Sequence, residues 1–327
     1  MTIRRTAVVS ALLAVFVLLV GCGTTDDSTT SDASSSGAPV TLDNSAGGTV
    51  TLPHGQAHRI VSLEWEYAEI LNSIGAGNTV VGLSDVKGYN QYDGPTVPLT
   101  STPTDVGQRL EPSLETIADL QPDLIIASTR SIPDSVRDRL GKIAPIVVLS
   151  TSDPTDPIGR LQQTTRTLGT AVGKQTQADD LNKRLDAALT KNAETLKKNG
   201  HAGQHAVFAS VSAEGSTVSI RMHARGSTPE AVLERMGLQP AWPNGDGKTG
   251  LSYVDVEGLT RLPADTWFLY WNEDTDPVEK NLASNPVWQS LPFVKDGRVR
   301  GVSKGVWMYG GPQSLIAFSD QVTSALS

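Results

Sequence analysis

The sequence predicts an α/β protein whose two lobes lie on either side of a helical middle. Strand and helix patterns alternate over residues 59–149 and alternate again over residues 206–326. Such alternation is typical of a mainly parallel sheet that is covered by helices. Two long amphipathic patterns, residues 157–172 and 176–198, separate the two series. Each half of the chain is therefore expected to build its own sheet.

In the first half, β-branched runs predict strands, and apolar residues at helical spacing predict helices. A hairpin comes first, because two short β-rich runs flank the glycine-containing turn sequence of residues 44–48. Prolines bound one helix, which starts after Pro112 and stops before Pro122. The predicted strands are residues 40–42, 49–52, 59–63, 80–83, 124–127 and 146–149, and the predicted helices are residues 65–74, 113–120 and 133–143.

The second half repeats this alternation after its two long helices. Gly173 ends the first of these helices, and Gly200 follows the second. The predicted strands are residues 206–211, 218–220, 267–270 and 299–302, and the predicted shorter helices are residues 229–236, 255–262 and 314–326. Ligands of open α/β sheets bind at the carboxyl ends of the strands. Two such halves that face each other would therefore form a binding cleft.

The composition excludes several classes of function. Acidic side chains outnumber basic ones by 35 to 27, which argues against the basic surface of a nucleic-acid-binding protein. The single cysteine excludes a disulfide framework and a cysteine-based metal site. Five histidines leave little material for a histidine-rich metal site, and we expect them to be ordinary surface residues.

Residues 1–21 have the pattern of a secretory signal, in which basic residues precede a short apolar run. The run over residues 11–20 is shorter than the roughly 20 apolar residues that cross a membrane. Residues 19–22, Leu-Val-Gly-Cys, resemble the bacterial lipobox, which implies that Cys22 is lipidated and becomes the new N-terminus. The alternative is a chance cysteine behind an uncleaved anchor, which the position of the only cysteine disfavours.

Residues 22–39 are expected to form a lipidated, disordered tether, because they are almost all small and polar. Acyl chains on Cys22 would hold the folded part at the membrane surface. We therefore expect a protein anchored on the extracytoplasmic face of the cell membrane. Enzymes that depend on intracellular ATP or NAD become poor candidates.

A serine motif is the one pattern that suggests an enzyme. Residues 301–305 match the G-x-S-x-G nucleophile elbow, with Ser303 as the serine. The elbow needs a helix directly after the serine, whereas residues 306–312 do not form a helical pattern, and no histidine follows. A strand-to-loop turn explains the motif better, so an extracytoplasmic serine hydrolase is the weaker alternative. Glu64, Glu66 and Glu69 offer no catalytic pair, and we assign Glu66 to a solvated helix face.

Aromatic residues are scarce, yet several follow predicted strands. At the carboxyl ends of strands, such side chains suit a bulky ligand with apolar parts. Arg109, in a loop before Pro112, suits a ligand that presents carbonyl or negatively charged oxygens. Core packing explains any one aromatic residue equally well, but the set together indicates a cleft. The aromatic residues in question are Trp65, Tyr89, Tyr92, Trp271, Trp307 and Tyr309.

Six ordered stretches carry a resemblance to a known family. They are RIVSLEW (59–65), DVGQRLEPSLE (105–115), QPDLII (121–126), GLQPAW (237–242), PVWQSLPFV (286–294) and VWMYG (306–310). This set resembles the iron-siderophore substrate-binding proteins of ABC importers, and most nearly the ferric-hydroxamate, ferrichrome-type branch. The resemblance covers residues 58–327. It implies a substrate-binding component that captures a ferric siderophore, is not an enzyme and is a monomer.

The resemblance also implies a fold and a set of site residues. The fold is that of a class III periplasmic binding protein, in which two Rossmann-like lobes, residues 40–156 and 174–327, are joined by one rigid helix, residues 157–173. Arg109 would bind hydroxamate oxygens around the iron. The aromatic residues Trp65, Trp307 and Tyr309 would line the pocket, with the loop of Tyr89 and Tyr92 at its edge. Iron(III) would be held only through the siderophore, with no cofactor and no direct protein ligand.

One stretch departs from the family pattern, and two glutamates match it. Residues 248–252 read Lys-Thr-Gly-Leu-Ser where the hydroxamate binders have an aromatic residue, so that wall of the pocket is expected either to be missing or to be supplied by Trp271 or Arg225. The family docks on its permease, which works with ATPase subunits, through one acidic residue on each lobe. Glu115 and Glu257 match those positions. The same fold with ferric citrate, haem or cobalamin as cargo stays open.

Overall fold

The computed structural model describes residues 37–214, 217–243, 245–271, 276–302 and 305–327. The predicted signal, Cys22 and most of the predicted tether lie outside these ranges, as does Ser303. Within them, no helix is both long and apolar enough to cross a membrane.

The N-terminal lobe contains a hairpin and a five-stranded parallel sheet, covered by helices. Its strands are β1 (Val40–Asp43), β2 (Thr49–Leu52), β3 (Ile60–Ser62), β4 (Val80–Leu83), β5 (Thr104–Asp105), β6 (Gly107–Gln108), β7 (Glu111–Pro112), β8 (Leu124–Ser128) and β9 (Ile146–Leu149). Its helices are α1 (Trp65–Ser73), α2 (Val86–Tyr92), α3 (Leu114–Asp119) and α4 (Asp134–Leu140), with a 3-10 turn at Gly77–Thr79. The pairs β1–β2 and β6–β7 are antiparallel.

The order of the parallel strands is β5-β4-β3-β8-β9. From β3 the chain passes through α1 to β4 on one side, whereas β8 pairs with the other side of β3. The sheet therefore grows in one direction from β3 to β4 and in the opposite direction from β3 to β8. Ligands of open α/β sheets bind at such a change in strand order. The residues that follow β3 and β8 are thereby placed at the mouth of one crevice.

The C-terminal lobe contains a mixed sheet in the order β13-β11-β10-β14-β15, with β12 paired to β10. The pairs β10–β14 and β14–β15 are parallel, whereas β11 runs antiparallel to β10 and β13. The strands are β10 (His205–Glu214), β11 (Thr217–His223), β12 (Gln239–Pro240), β13 (Leu251–Val254), β14 (Trp267–Trp271) and β15 (Val299–Val302). The helices are α7 (Thr228–Arg235), α8 (Pro277–Asn281), α9 (Pro286–Ser290), α10 (Pro292–Lys295) and α11 (Pro312–Leu326).

Two helices lie between the lobes in sequence, α5 (Pro157–Ala171) and α6 (Gln175–Lys198). The carboxylate of Asp156 accepts the backbone N–H of Gly159 and caps the first turn of α5. Helix α5 packs on β1 and α1 and also on α6 and α7. One hydrophobic cluster runs through both lobes, from Leu42 to Leu326. The predicted two-lobed α/β fold is confirmed, and its lobes share a core.

Two predicted elements are wrong. The segment that carries Tyr89 and Tyr92, expected to be a loop, is helix α2, whose N-terminus is capped by Asp85. Residues 255–262 form only a short 3-10 helix, Glu257–Arg261. The first correction matters for the site. An α-helix packs one of its faces into the protein, whereas a loop at the pocket edge would leave Tyr89 and Tyr92 open to the ligand.

Candidate ligand-binding site

A cavity of about 420 Å3 lies between the two lobes. This volume falls within the range of about 300–1,000 Å3 that is usual for small-molecule sites. On the N-terminal side its wall comes from the chain after β3, β4, β8 and β9 and from the β6–β7 turn. On the other side it comes from β11, β13, the start of α7 and three loops. The residues that line the cavity include Glu64, Trp65, Glu66, Asp85, Arg109, Arg130, Arg221, Thr249, Leu251, Tyr253, Trp307 and Tyr309.

Three aromatic rings form one wall and cross from lobe to lobe. Trp65 begins α1, and its Nε1 donates to the carbonyl of Ser84 at 3.0 Å, which fixes the indole. The centroid of Trp307, from the other lobe, lies 5.3 Å from that of Trp65 in an edge-to-face arrangement. Tyr309 follows at 5.4 Å from Trp307. The structure thus brings these three predicted residues together on the cavity wall.

Two other predicted aromatic residues lie behind this wall. Tyr92 stacks on Trp65, with centroids 6.1 Å apart. Trp271 packs against Tyr92 at 5.4 Å and against Trp307 at 5.7 Å. Neither lines the cavity. Tyr92 and Trp271 instead pack behind the indoles of the wall and support them. This position differs from the direct ligand contact that was predicted for them.

Tyr89 and Arg225 were predicted to bind the ligand, but neither side chain lines the cavity. Tyr89 is completely buried, and its hydroxyl donates to the carbonyl of Val97 at 2.8 Å, because α2 turns this side chain into the lobe. Arg225 is exposed, lies 3.6 Å from a carboxylate oxygen of Glu234 and does not line the cavity, although the next residue, Gly226, does. The wall that Arg225 was expected to supply is formed partly by Thr249, in the departing stretch itself.

One nitrogen of the Arg109 guanidinium forms an ion pair, and the side chain is otherwise partly exposed. Its Nη1 lies 3.3 Å from Oε2 of Glu64, while Oε1 of Glu64 accepts the hydroxyl of Ser128 at 2.6 Å. The arginine side chain is 54% exposed and the glutamate only 10%. The remaining guanidinium N–H groups can therefore donate to a ligand without loss of the anchoring pair.

Arg130 and Arg221 also line the cavity, and the sequence reasoning missed both. Arg130 comes two residues after β8, beside the β3–β8 crevice. Arg221 lies in β11 of the other lobe, where its Nη2 donates to the hydroxyl of Ser210 at 3.2 Å. A signal for Arg130 did exist, since it follows a predicted strand at the distance used to select the aromatic residues.

Tyr309 and His223 are neutral groups at the C-terminal wall. Burial raises the pKa of Tyr309 to about 12, although the nearby Arg221 and Arg130 guanidiniums oppose this shift. Burial, and then the charge of Arg221, lowers the pKa of His223 to about 3. The tyrosine hydroxyl lies 3.4 Å from the imidazole nitrogens. His223 is fully buried, so the expectation that all histidines lie on the surface is wrong.

The carboxylates of α1 are buried as well, which corrects the solvated face expected for Glu66. Glu66 forms an ion pair with Arg160 of α5, and both side chains are less than a tenth exposed. Burial raises the pKa of Glu66 to about 7, and Arg160 opposes this shift. Glu69 accepts the backbone N–H groups of Gly311 and Ser314 at the start of α11. The carboxyl groups of helix α1 therefore attach it to helix α5 and to helix α11 of the C-terminal lobe.

The described residues after β15 do not supply the helix that a nucleophile elbow needs. Helix α11 begins only at Pro312, well after the strand ends at Val302. A hydrolase elbow requires the helix to follow the serine at once. Among the residues that the structure describes, no group of three or more His, Cys, Asp or Glu side chains could hold a metal ion.

The two glutamates expected at a permease interface lie on the surface of different lobes. Glu115 is in the first turn of α3, and Glu257 begins the 3-10 helix that follows β13. Both side chains are exposed. Their acidic groups are well placed at helix N-termini, and their exposure leaves them available to a partner.

Two α/β lobes with a cavity between them, aromatic walls and guanidinium groups define a ligand-binding protein. The chain belongs to the periplasmic binding protein family, whose sequence pattern matches residues 60–304. This membership confirms the predicted family and the class III fold.

Individual relatives cover nearly the whole chain. The Fe(3+)-citrate-binding protein YfmC of Bacillus subtilis is 26% identical, over 92% of this chain and 90% of its own length. The putative ABC transporter substrate-binding lipoprotein YhfQ of the same organism is 29% identical, over 93% and 92% respectively. Among solved structures, the Fe3+–Desferal-bound siderophore-binding protein FhuD of Vibrio cholerae has a TM-score of 0.69 at 29% identity, covering 82% of this chain and 97% of that one.

Proposed function

We propose that this chain is the extracytoplasmic substrate-binding component of an ABC importer, which captures a ferric siderophore and delivers it to a membrane permease. The observation that carries the proposal is the interlobe cavity, which joins an aromatic wall to the partly free guanidinium of Arg109. Aromatic faces suit the apolar frame of a siderophore, and a guanidinium suits the oxygens around its iron.

The chemistry of iron(III) supports the same role. Iron(III) is a hard ion that prefers oxygen donors, and a siderophore can supply all of them. The donor groups of the cavity are guanidinium, hydroxyl and indole groups, and its carboxylates already have protein partners. These residues fit a complex in which iron is cargo inside the siderophore and has no direct protein ligand.

Two cargo types have specific support. The similarity to the Desferal-bound FhuD structure and the position of Arg109 favour a ferric hydroxamate. The similarity to YfmC, a ferric-citrate-binding protein, favours a carboxylate complex. Both keep iron in an oxygen shell, so both satisfy the proposed function. Haem and cobalamin lack comparable support and are outcomes of the test.

Delivery would use the exposed glutamates and a membrane anchor. Glu115 and Glu257 lie on different lobes, as a permease that grips both lobes requires. The name of the relative YhfQ as a lipoprotein supports anchoring through Cys22 on the extracytoplasmic face. We propose a monomer that meets the permease and its ATPase subunits only through this docking.

Tryptophan fluorescence tests the proposal, because Trp65 and Trp307 line the cavity. The protein is titrated with a ferric hydroxamate, ferric citrate, haem and cobalamin, each beside its iron-free or metal-free form. Saturable quenching at micromolar or lower concentration by a ferric chelate is expected. Quenching by cobalamin or haem alone would show that the protein is not a siderophore receptor.

Arg109→Ala is the site variant for this titration. The loss of a charge-assisted hydrogen bond should weaken binding by about 1.5–3 kcal/mol. Arg166→Ala is the matched control, since Arg166 is 56% exposed and also forms one ion pair, with Asp179 on α6. Equal affinity of both variants would remove Arg109 from the site.

A further inference from the structure

The loop from Asp246 to Leu251 forms a hydrogen-bonded turn around one carboxylate. Oδ1 of Asp246 accepts the backbone N–H groups of three residues of this loop, Lys248 at 2.9 Å, Thr249 at 2.6 Å and Gly250 at 3.0 Å. The backbone N–H of Asp246 in turn donates to the carbonyl of Leu251 at 2.9 Å. Asp246 does not line the cavity, whereas Thr249 and Leu251 do. A carboxylate outside the cavity therefore organises a segment of the cavity wall.

Close backbone packing holds this loop against the rest of the C-terminal lobe. Gly250 has a positive φ of 69°, and a Cβ atom there would collide with the backbone of Gly226 and Ser227. The carbonyl of Gly250 accepts the backbone N–H of Ala224 at 2.7 Å. Gly226 also lines the cavity, and a Cβ atom there would lie 2.9 Å from that of Pro154 in the other lobe. This packing leaves little room for another loop conformation, and the turn around Asp246 stabilises the one that fits.

The hydroxyl of Thr249 donates to Asp246, so it is available to a ligand only as an acceptor. Its Oγ1 lies 2.6 Å from Oδ2 of Asp246. Burial opposes ionisation of this carboxyl, but the hydrogen bonds from the loop hold the pKa of Asp246 well below its usual range. The carboxylate is therefore ionised near neutral pH and can only accept, and the hydroxyl must supply the proton between them. The lone pairs of the hydroxyl then suit a donor on the ligand.

We propose that Asp246 is a positioning residue that holds Thr249 at the cavity wall, where the threonine hydroxyl accepts a hydrogen bond from an amide N–H on the frame of the ligand. This inference rests on the proposed function and narrows its ligand class. The guanidinium groups of the cavity can only donate, and its carboxylates already have protein partners. In a ferric siderophore the ligating oxygens surround the iron, and the amide N–H groups of the frame remain as donors. Thr249 supplies the acceptor that such a frame needs.

The experiment uses the iron(III) complex of Desferal, a trihydroxamate with amide N–H groups in its frame, and compares it with ferric citrate, which has no N–H group. Tryptophan fluorescence titration gives both affinities. Asp246→Ala should weaken binding of the Desferal complex by about tenfold, through loss of one hydrogen bond to the ligand. Thr249→Val keeps the shape of the side chain, removes the hydroxyl and should show the same loss. Both variants should bind ferric citrate like the wild type.

Asp246→Asn is the conservative variant. It keeps one oxygen for the three backbone N–H groups of the loop, so it should recover most of the affinity for the Desferal complex. A merely electrostatic effect of Asp246 would not be recovered by this neutral side chain.

Asp123→Ala is the control for the loss of a carboxylate that fastens backbone. Asp123 accepts the backbone N–H groups of His58 and Arg59, at 2.8 and 3.0 Å, and does not line the cavity. This variant should lower the urea midpoint and leave both affinities unchanged, whereas Asp246→Ala should lower affinity for the Desferal complex with little change in the midpoint.

Several results would overturn the inference while the proposed function stands. They are wild-type affinity of Asp246→Ala or Thr249→Val for the Desferal complex, an equal loss of affinity for ferric citrate, no recovery in Asp246→Asn, and a wild-type protein that binds ferric citrate but not the Desferal complex. If neither complex binds to the wild-type protein, both the inference and the proposed function fail.

Discussion

Glu69→Gln should destabilise the fold, because Glu69 connects the two lobes through the start of α11. The side chain is fully buried. One carboxylate oxygen accepts the backbone N–H of Gly311, and the other accepts that of Ser314 at 3.0 Å. A glutamine keeps one oxygen but turns an NH2 group toward the second backbone donor.

The magnitude follows from the groups that lose partners. One charge-assisted hydrogen bond is worth about 1.5–3 kcal/mol, and an unpaired buried N–H costs about 1–3 kcal/mol more. The negative charge at the N-terminus of α11 adds up to about 2 kcal/mol in partly buried settings. A neutral amide is cheaper to bury than a carboxylate, which offsets part of the loss. We expect a net loss of about 3 kcal/mol.

Urea denaturation followed by tryptophan fluorescence measures this loss. The control is Glu194→Gln, an exposed glutamate on α6, which should change the free energy of unfolding by less than about 0.5 kcal/mol. The midpoint for Glu69→Gln should fall clearly below that of the control, with an unchanged slope. Equal midpoints for the two variants would refute the conclusion that Glu69 stabilises the contact between the lobes.

Three other predictions concern the two buried carboxyl groups of Glu69 and Asp93, the docking glutamates and the lipid anchor. Burial and the charge of Glu69 raise the pKa of Asp93 well above its usual 3.8, so the native state keeps a proton that the unfolded chain releases, and stability should fall as pH rises above that value. Asp93→Asn should flatten this dependence relative to wild type in urea midpoints between about pH 5 and about pH 8; an unchanged slope contradicts it. The double variant Glu115→Ala, Glu257→Ala should bind ferric ligand normally but impair iron uptake by cells, and intact uptake counts against docking. Cys22→Ser should move the protein from the membrane fraction to the soluble fraction, and persistent membrane association would argue against lipidation.

The sequence predicted the elements whose own residues determine them. Strand β8, Leu124–Ser128, consists of four apolar residues and a serine, all of them buried, as expected for a central parallel strand covered on both faces. Helix α5 carries its apolar stripe and its proline start within one segment. Helix α2 was missed because its polar sequence contains Gly88, and its cap at Asp85 adopts a positive φ of 48° that sequence patterns do not reveal.

The site was harder to predict because its partners are distant in sequence. Glu66 looks like a solvated residue until Arg160, ninety-four positions later, is packed against it. Arg130 lies on the cavity wall because β3 pairs with β8, and no local sequence pattern specifies this pairing. Trp65, Trp307 and Tyr309 follow predicted strands and line the cavity. Whether a ring faces the cavity or supports it, as for Trp271, depends on the packing of both lobes.

The hydrophobic core shared by the lobes and the attachment of α1 to α11 restrict movement of the lobes. This restriction limits the ways in which the protein can select its ligand. A hydrophobic cluster common to both lobes, the aromatic contacts from Trp65 to Trp307 and the attachment of Glu69 to α11 oppose a wide hinge motion. The cavity is therefore largely preformed, and little ordering cost is left for the ligand. The aromatic wall offers similar contacts to many apolar frames and discriminates weakly between them. Discrimination must then come from the polar groups of the cavity, among which the guanidinium of Arg109 is partly exposed and can donate to a ligand.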